Sequence, residues 1–163
     1  MAAAIAASVL LMPAREAAAQ MMPFREYPSF EGDDAAAPIP PDWNIPAEFV
    51  VGRLMYPGGR MGFRGGADWT HGGTSWTDDY PKGDRTFIGM LRRFTRTHVR
   101  GVEQPINPDD GGDLYYYPFM VVGLAQAWQL TDEQAAKIRE YLIRGGFLFC
   151  DSFFGERNRS EEH

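Results

Sequence analysis

Cysteine is nearly missing from this chain: Cys150 is the only one in 163 residues. An intrachain disulfide is thereby excluded, and with three histidines no Cys/His set has the spacing of a zinc site. Positive charge is scarce as well. Sixteen Lys and Arg stand against 22 Asp and Glu, for a net charge of −6 and a pI near 5.0. That balance leaves no basic footprint for nucleic acid and sets the chain against an anionic membrane surface. Long apolar runs are lacking too, since the opening stretch "AAAIAASVLLM" has eleven residues, too few to span a bilayer. No GK[ST] signature of a phosphate-binding loop occurs either.

What is present suffices for one packed domain. Apolar residues make up 44% and aromatics 13%. The opening stretch is followed by Pro13 and "AREAAAQ", where Ala17 and Ala19 form a small-x-small cleavage pattern. Residues 1–19 therefore read as a secretory signal cut after Ala19, although no Lys or Arg precedes the apolar run. The expected product is exported, periplasmic or extracellular, with no transmembrane span after cleavage. Residues 20–47 carry Pro23, Pro28, Pro38, Pro40, Pro41 and Pro46, a density that blocks helix and central strand and predicts an extended linker. Its aromatics Phe24, Tyr27, Phe30 and Trp43 are free to pack on the domain.

The domain is expected over 48–155, with 156–163 as a polar tail. "FVVGRLMYP" reads as a strand covered on both faces. A long glycine-rich loop follows, and then "DRTFIGMLRRFTRTH" places Phe87, Leu91, Phe94 and His98 on one helical face. "VRGVEQPI" predicts an irregular strand interrupted by Pro105, and "YYYPFMVVGL" a continuous one. "TDEQAAKIREYLIRGG" is the strongest helix signal: Thr131 and Gln134 form a capping box, Ala135, Ile138 and Leu142 the expected buried stripe, and Gly145 the left-handed cap. "GFLFC" is the last strand. This order predicts an α/β fold, a mostly parallel, open sheet with flanking helices. Two helices are few for strands that need both faces covered, so the sheet is expected to be incomplete at its C-terminal side.

The ordered set "MYPGG", "WTDDYPKGDRTFIGMLRRFT", "YYYPFMVVG" and "LTDEQAAKIREYLIRGGFLFCDSFFG" resembles the bacterial domain-of-unknown-function family 4159, over about residues 48–155. The resemblance implies a class I glutamine-amidotransferase-like (flavodoxin-like) fold in exported or membrane-associated proteins, and no assigned reaction. Matching positions are Tyr56, Trp76, Asp78, Tyr80, Pro81, Asp84, Tyr117, Pro118, Gly145, Gly146, Asp151 and Gly155. Where the family tends to read Asp-Asp-Phe-His-Gly after the last strand, Asp151 is followed here by Ser152, Phe153 and Phe154.

Cys150 ends an apolar strand, lacks the glycines that flank a nucleophile elbow, and has Asp151 beside it, which disfavours a thiolate. It reads as a structural strand residue. Asp151, just beyond a strand's carboxyl end, stands where open α/β sheets bind ligands, or else caps a turn. Parallel strands should bring the glycine-rich loop to the same edge, so Tyr56, Asp78, Tyr80 and Asp151 form the candidate ligand site. Arg60 and Arg64 in that loop can fork onto an anion, whereas Asp68 with His71 offer only two metal ligands. Asp109, Asp110 and Asp113 lack the later glutamate of a calcium loop, and Arg92, Arg93, Arg96 and His98 complement a helix C-terminus. No metal and no cofactor is expected. The favoured function is a non-catalytic module of an envelope assembly, binding a protein partner or small ligand. The alternative is a hydrolase of an amide or ester using Cys150 or Asp151.

Overall fold

A computed structural model describes residues 23–58 and 68–151. The signal at 1–19, Arg60, Arg64, residues 152–155 and the tail at 156–163 lie outside the described residues. The elements in chain order are β1 (Gly52–Leu54), α1 (Lys82–Phe94), β2 (Gln104–Ile106), β3 (Phe119–Val122), α2 (Asp132–Ile143) and β4 (Phe147–Cys150), with short 3-10 turns between them. Every strand pair is parallel, and the order across the sheet is β2-β1-β3-β4. This is the open α/β sheet that the element order predicts, with a flavodoxin-like strand order. From β1 the chain moves outward to β2, then returns to β3 on the other side of β1. The carboxyl ends of β1 and β3 therefore flank a topological switch point.

The period of two along each strand sorts side chains to opposite faces. Leu54, Met120 and Val122 pack with Ile138 and Tyr141 of α2, joined by the half-buried Leu148 and Cys150. On the other face, Val51 and Val121 pack with Ile88 of α1, flanked by Phe87, Leu91 and Phe119. The helices thus cover opposite faces. Pro105 is tolerated in β2 because that strand is an edge: Gln104 N–H donates to Val51 C=O and Ile106 C=O accepts from Met55 N–H, leaving Pro105 facing outward.

Both helices differ from the expected stripes. α1 stops at Phe94, which is 75% exposed, and His98 lies beyond it with its N–H donating to Glu48. Its buried positions are Asp84 and Ile88, with Phe87 and Leu91 half-buried, so the inner face runs through a carboxylate that an apolar pattern discards. In α2 the buried positions are Gln134, Ile138 and Tyr141, while Ala135 and Leu142 are exposed. Gln134 tolerates burial because its amide donates to Asp109 at 2.8 Å and its carbonyl accepts from Thr131 N–H in the capping box. Tyr141 hydroxyl pairs with the backbone of Phe147. Gly145 adopts the expected left-handed conformation at φ 92°.

Residues 23–47 are not extended throughout, since a 3-10 turn at Gly32–Ala35 and turns at 41–44 interrupt them, and they lie along the domain. Tyr27 meets Trp76 edge-on at 5.3 Å, Gly73 N–H donates to Pro28 C=O, and Glu31 accepts from Asp79 N–H. Arg85 pairs with Glu26 and donates to Ala37 C=O, and Arg92 pairs with Asp42 at 2.8 Å. Phe24 and Trp43 pack on each other, 5.8 Å between centroids.

Candidate functional site

A cleft of about 260 Å³ opens on the α1 face at the carboxyl ends of β1, β3 and β4. Its floor is Arg53, Val121 and Gly123, its walls are Asp78, Asp79, Asp84, Phe87 and Met90 from the α1 side, and Phe149 and Asp151 close it from β4. Strand alternation explains the lining. Phe149 and Asp151 face the cleft, so Cys150, between them, faces the α2 core.

Arg53 organises the site. It is 2% exposed, and a guanidinium so buried requires partners. Its Nη1 pairs with both Asp84 oxygens at 3.2 and 3.3 Å, Nε donates to Trp76 C=O at 2.9 Å, and Nη2 donates to Asp78 C=O at 2.5 Å. One side chain thereby ties the 76–78 loop to the first turn of α1. Gly123 is needed beneath it, because a Cβ there would lie 2.1 Å from Arg53 Nη2. Burial pushes the Asp84 carboxyl up, and Arg53 pulls it back in part.

The Asp78 carboxyl at the mouth is less well compensated. Asp78 is pushed up by burial first, then by Asp79 and Glu31, with Arg53 opposing and Asp151 adding to the rise. Of the charged groups that line the cleft among the described residues, four are carboxylates and one is a guanidinium whose charge is already committed to Asp84. The walls beside them are apolar. Phe87 and Phe149 stack at 6.2 Å with ring planes 1° apart, and Met90 and Phe149 are 47% and 44% exposed.

Of the four residues expected at this edge, the structure brings Asp78 and Asp151 to the cleft. Tyr56 and Tyr80 stand behind it, both fully buried. Tyr56 hydroxyl donates to the carbonyls of Gly123 and Leu124 across the switch point, which plugs the gap between β1 and β3. Tyr80 accepts from Tyr27 N–H and packs its ring on Trp76 and under Arg53. Burial pushes both phenols up, so they stay protonated. Cys150 is half-buried, and burial raises its thiol as well. Asp68 and His71 pair with each other at 2.8 Å at the surface, and among the described residues no group of three or more His, Cys, Asp or Glu has the arrangement of a metal site. Asp109 lies within an ordinary turn that begins at Asn107, its N–H donating to Asn107 Oδ1.

Arg53, Asp84, Gly123, Phe87 and Phe149 are among the cleft residues that sequence reasoning passed over as site members. The available signal was Arg53 itself, a lone charge inside "FVVGRLMY". A cation in a strand buried on both faces needs a buried acid, and Asp84 is the one it finds.

Fold and cleft together define an open, parallel α/β domain with an acidic, aromatic-walled cleft at the carboxyl edge of its sheet. The chain belongs to the family described as "Domain of unknown function (DUF4159)", whose model matches residues 67–163. The match covers α1, β2, β3, α2 and β4 and begins after β1. A comparison with the curated proteins finds no match, and a comparison with the solved structures finds none either. Among the described residues no helix is long and apolar enough to cross a membrane.

Proposed function

We propose that this chain is a non-catalytic binding module of an exported protein, cut after Ala19, that docks a small ligand or a partner of the cell envelope at the Asp78–Asp151 cleft. The observation that carries this reading is the convergence of Asp78 and Asp151 with the Phe87 and Phe149 walls at the carboxyl edge of the sheet, where open α/β folds hold ligands. The hydrolase alternative is less well supported. Cys150 faces the opposite side of the sheet, and its thiol is raised rather than lowered, against what a nucleophile requires. Neither described histidine lines the cleft: His71 pairs with Asp68, and the His98 backbone is held by Glu48.

Amide NMR of the full mature chain against a fragment library tests the reading. Shifts concentrated on residues 78–84, 121–123 and 149–151 are the expected result. Shifts that gather elsewhere, or turnover of an amide or ester that Cys150→Ser or Asp151→Asn abolishes, overturn it.

A further inference from the structure

We infer that the cleft selects an organic cation: a protonated amine or guanidinium carried on an apolar stem. This inference rests on the cleft being a binding site and adds the chemistry of its occupant.

Three independent features of the cleft point the same way. Charge comes first. Among the described residues Arg53 is the one cation lining the cleft, and Asp84 neutralises it through a buried pair with both side chains almost wholly excluded from water. The other charged side chains that line it among the described residues are Asp78, Asp79 and Asp151, all acidic, a lining that opposes an anionic ligand and attracts a cation. The half-buried Asp78 sits in that crowd: burial first, and then the neighbouring Asp79, Glu31 and Asp151, push its carboxyl up, and a bound cation would offset the second part.

The second feature is the wall. Phe87, Met90, Val121 and Phe149 line the cleft beside the acids, and Met90 and Phe149 keep nearly half their surface open to solvent. A bare metal ion or a small hydrated cation leaves that wall wet. A cation with an alkyl or aromatic stem covers it and still reaches the carboxylates. The third is the arrangement of the acids. They do not converge as a metal site does among the described residues, so they suit donors spread over an ammonium or guanidinium head rather than one small ion.

A free amine and the Lys or Arg side chain of a partner present the same chemistry, and the probes separate them. Phenethylamine, its neutral isostere phenethyl alcohol, its anionic counterpart phenylacetate, and Nα-acetylated Lys and Arg amides are titrated into the full chain by amide NMR. Phenethylammonium is expected to shift residues at 78–84 and 149–151, with the alcohol and the anion at least tenfold weaker. Asp151→Asn, a change at an exposed carboxylate, and Asp78→Asn should each weaken the amine about tenfold, the size of one charge-assisted contact. Tighter binding of the blocked Lys or Arg amide than of phenethylamine assigns the occupant to a polypeptide, and the reverse order assigns it to a free amine. If the alcohol or the anion binds the same residues as well as the amine does, the cation inference falls while the binding site stands. If no probe shifts the cleft and the fragment library also leaves it untouched, the binding site itself is overturned.

Discussion

Replacing Arg53 with Met removes the guanidinium while keeping most of the apolar stem, so the cavity left behind is small. The cost then comes from the groups that lose their partner. Asp84 would stand buried without a cation, and breaking a buried pair from one side costs about 3–5 kcal/mol. The carbonyls of Trp76 and Asp78 also lose a donor, at about 1 kcal/mol each. The total, about 5–7 kcal/mol, is a large share of the stability of about 5–15 kcal/mol that a single domain has. Adding Asp84→Leu removes the stranded charge but not the two orphaned carbonyls, so the double variant should regain about 3 kcal/mol over Arg53→Met. Acid should help Arg53→Met in particular. With its folded-state pKa raised, Asp84 penalises the fold only when ionised, so the gap to the parent narrows as pH falls from 7 toward 5. Urea unfolding at both pH values, followed by the fluorescence of the buried Trp76, measures each quantity. A loss below about 1 kcal/mol for Arg53→Met, or a double variant no more stable than the single one, refutes the role given to this pair.

Four further outcomes are expected. Glu103 is fully buried beside Arg85, and burial, with Asp84 adding to it, lifts its carboxyl to about 6 from 4.5. Between those values the folded state keeps a proton that the unfolded chain releases, so stability falls by about 2 kcal/mol as pH rises through the window; Glu103→Gln should flatten that slope in pH-dependent denaturation. Gly123→Ala puts a Cβ against Arg53 Nη2 and should cost about 1–3 kcal/mol in the same assay, with amide shifts at 76–78 where Arg53 lets go. Cys150 should react with a thiol reagent far more slowly in the native chain than in urea, and Cys150→Ser should leave amine binding unchanged. Mass spectrometry of the protein from its native host should find an N-terminus at Gln20, and an intact Met1 on a cytosolic product ends the export reading.

The fold class was legible along the chain because local rules carry it. Thr131, Gln134 and Gly145 mark the limits of α2 through caps that depend only on neighbouring residues, and the structure reproduces both ends. The apolar runs at 119–122 and 147–150 announce strands, and helices between strands imply a parallel sheet. Which residues face inward was less legible. Asp84 and Gln134 carry polar atoms that a hydrophobic pattern sends to solvent, yet each is buried because its partner arrives from a distant segment: Arg53 for Asp84 and Asp109 for Gln134.

The candidate site divides along the same line. Position relative to a strand end was enough to place Asp151, and a parallel sheet was enough to bring Asp78 toward it. That Tyr56 and Tyr80 turn inward, as the plug of the switch point and the platform under Arg53, depended on Gly123, Leu124, Trp76 and Tyr27 meeting them. Hydrophobic periodicity and capping act over a few residues and can be read in order along the chain. The pairing of a buried charge, and with it the sign of the field in the cleft, is settled between residues tens of positions apart, and only the folded sheet brings them within reach.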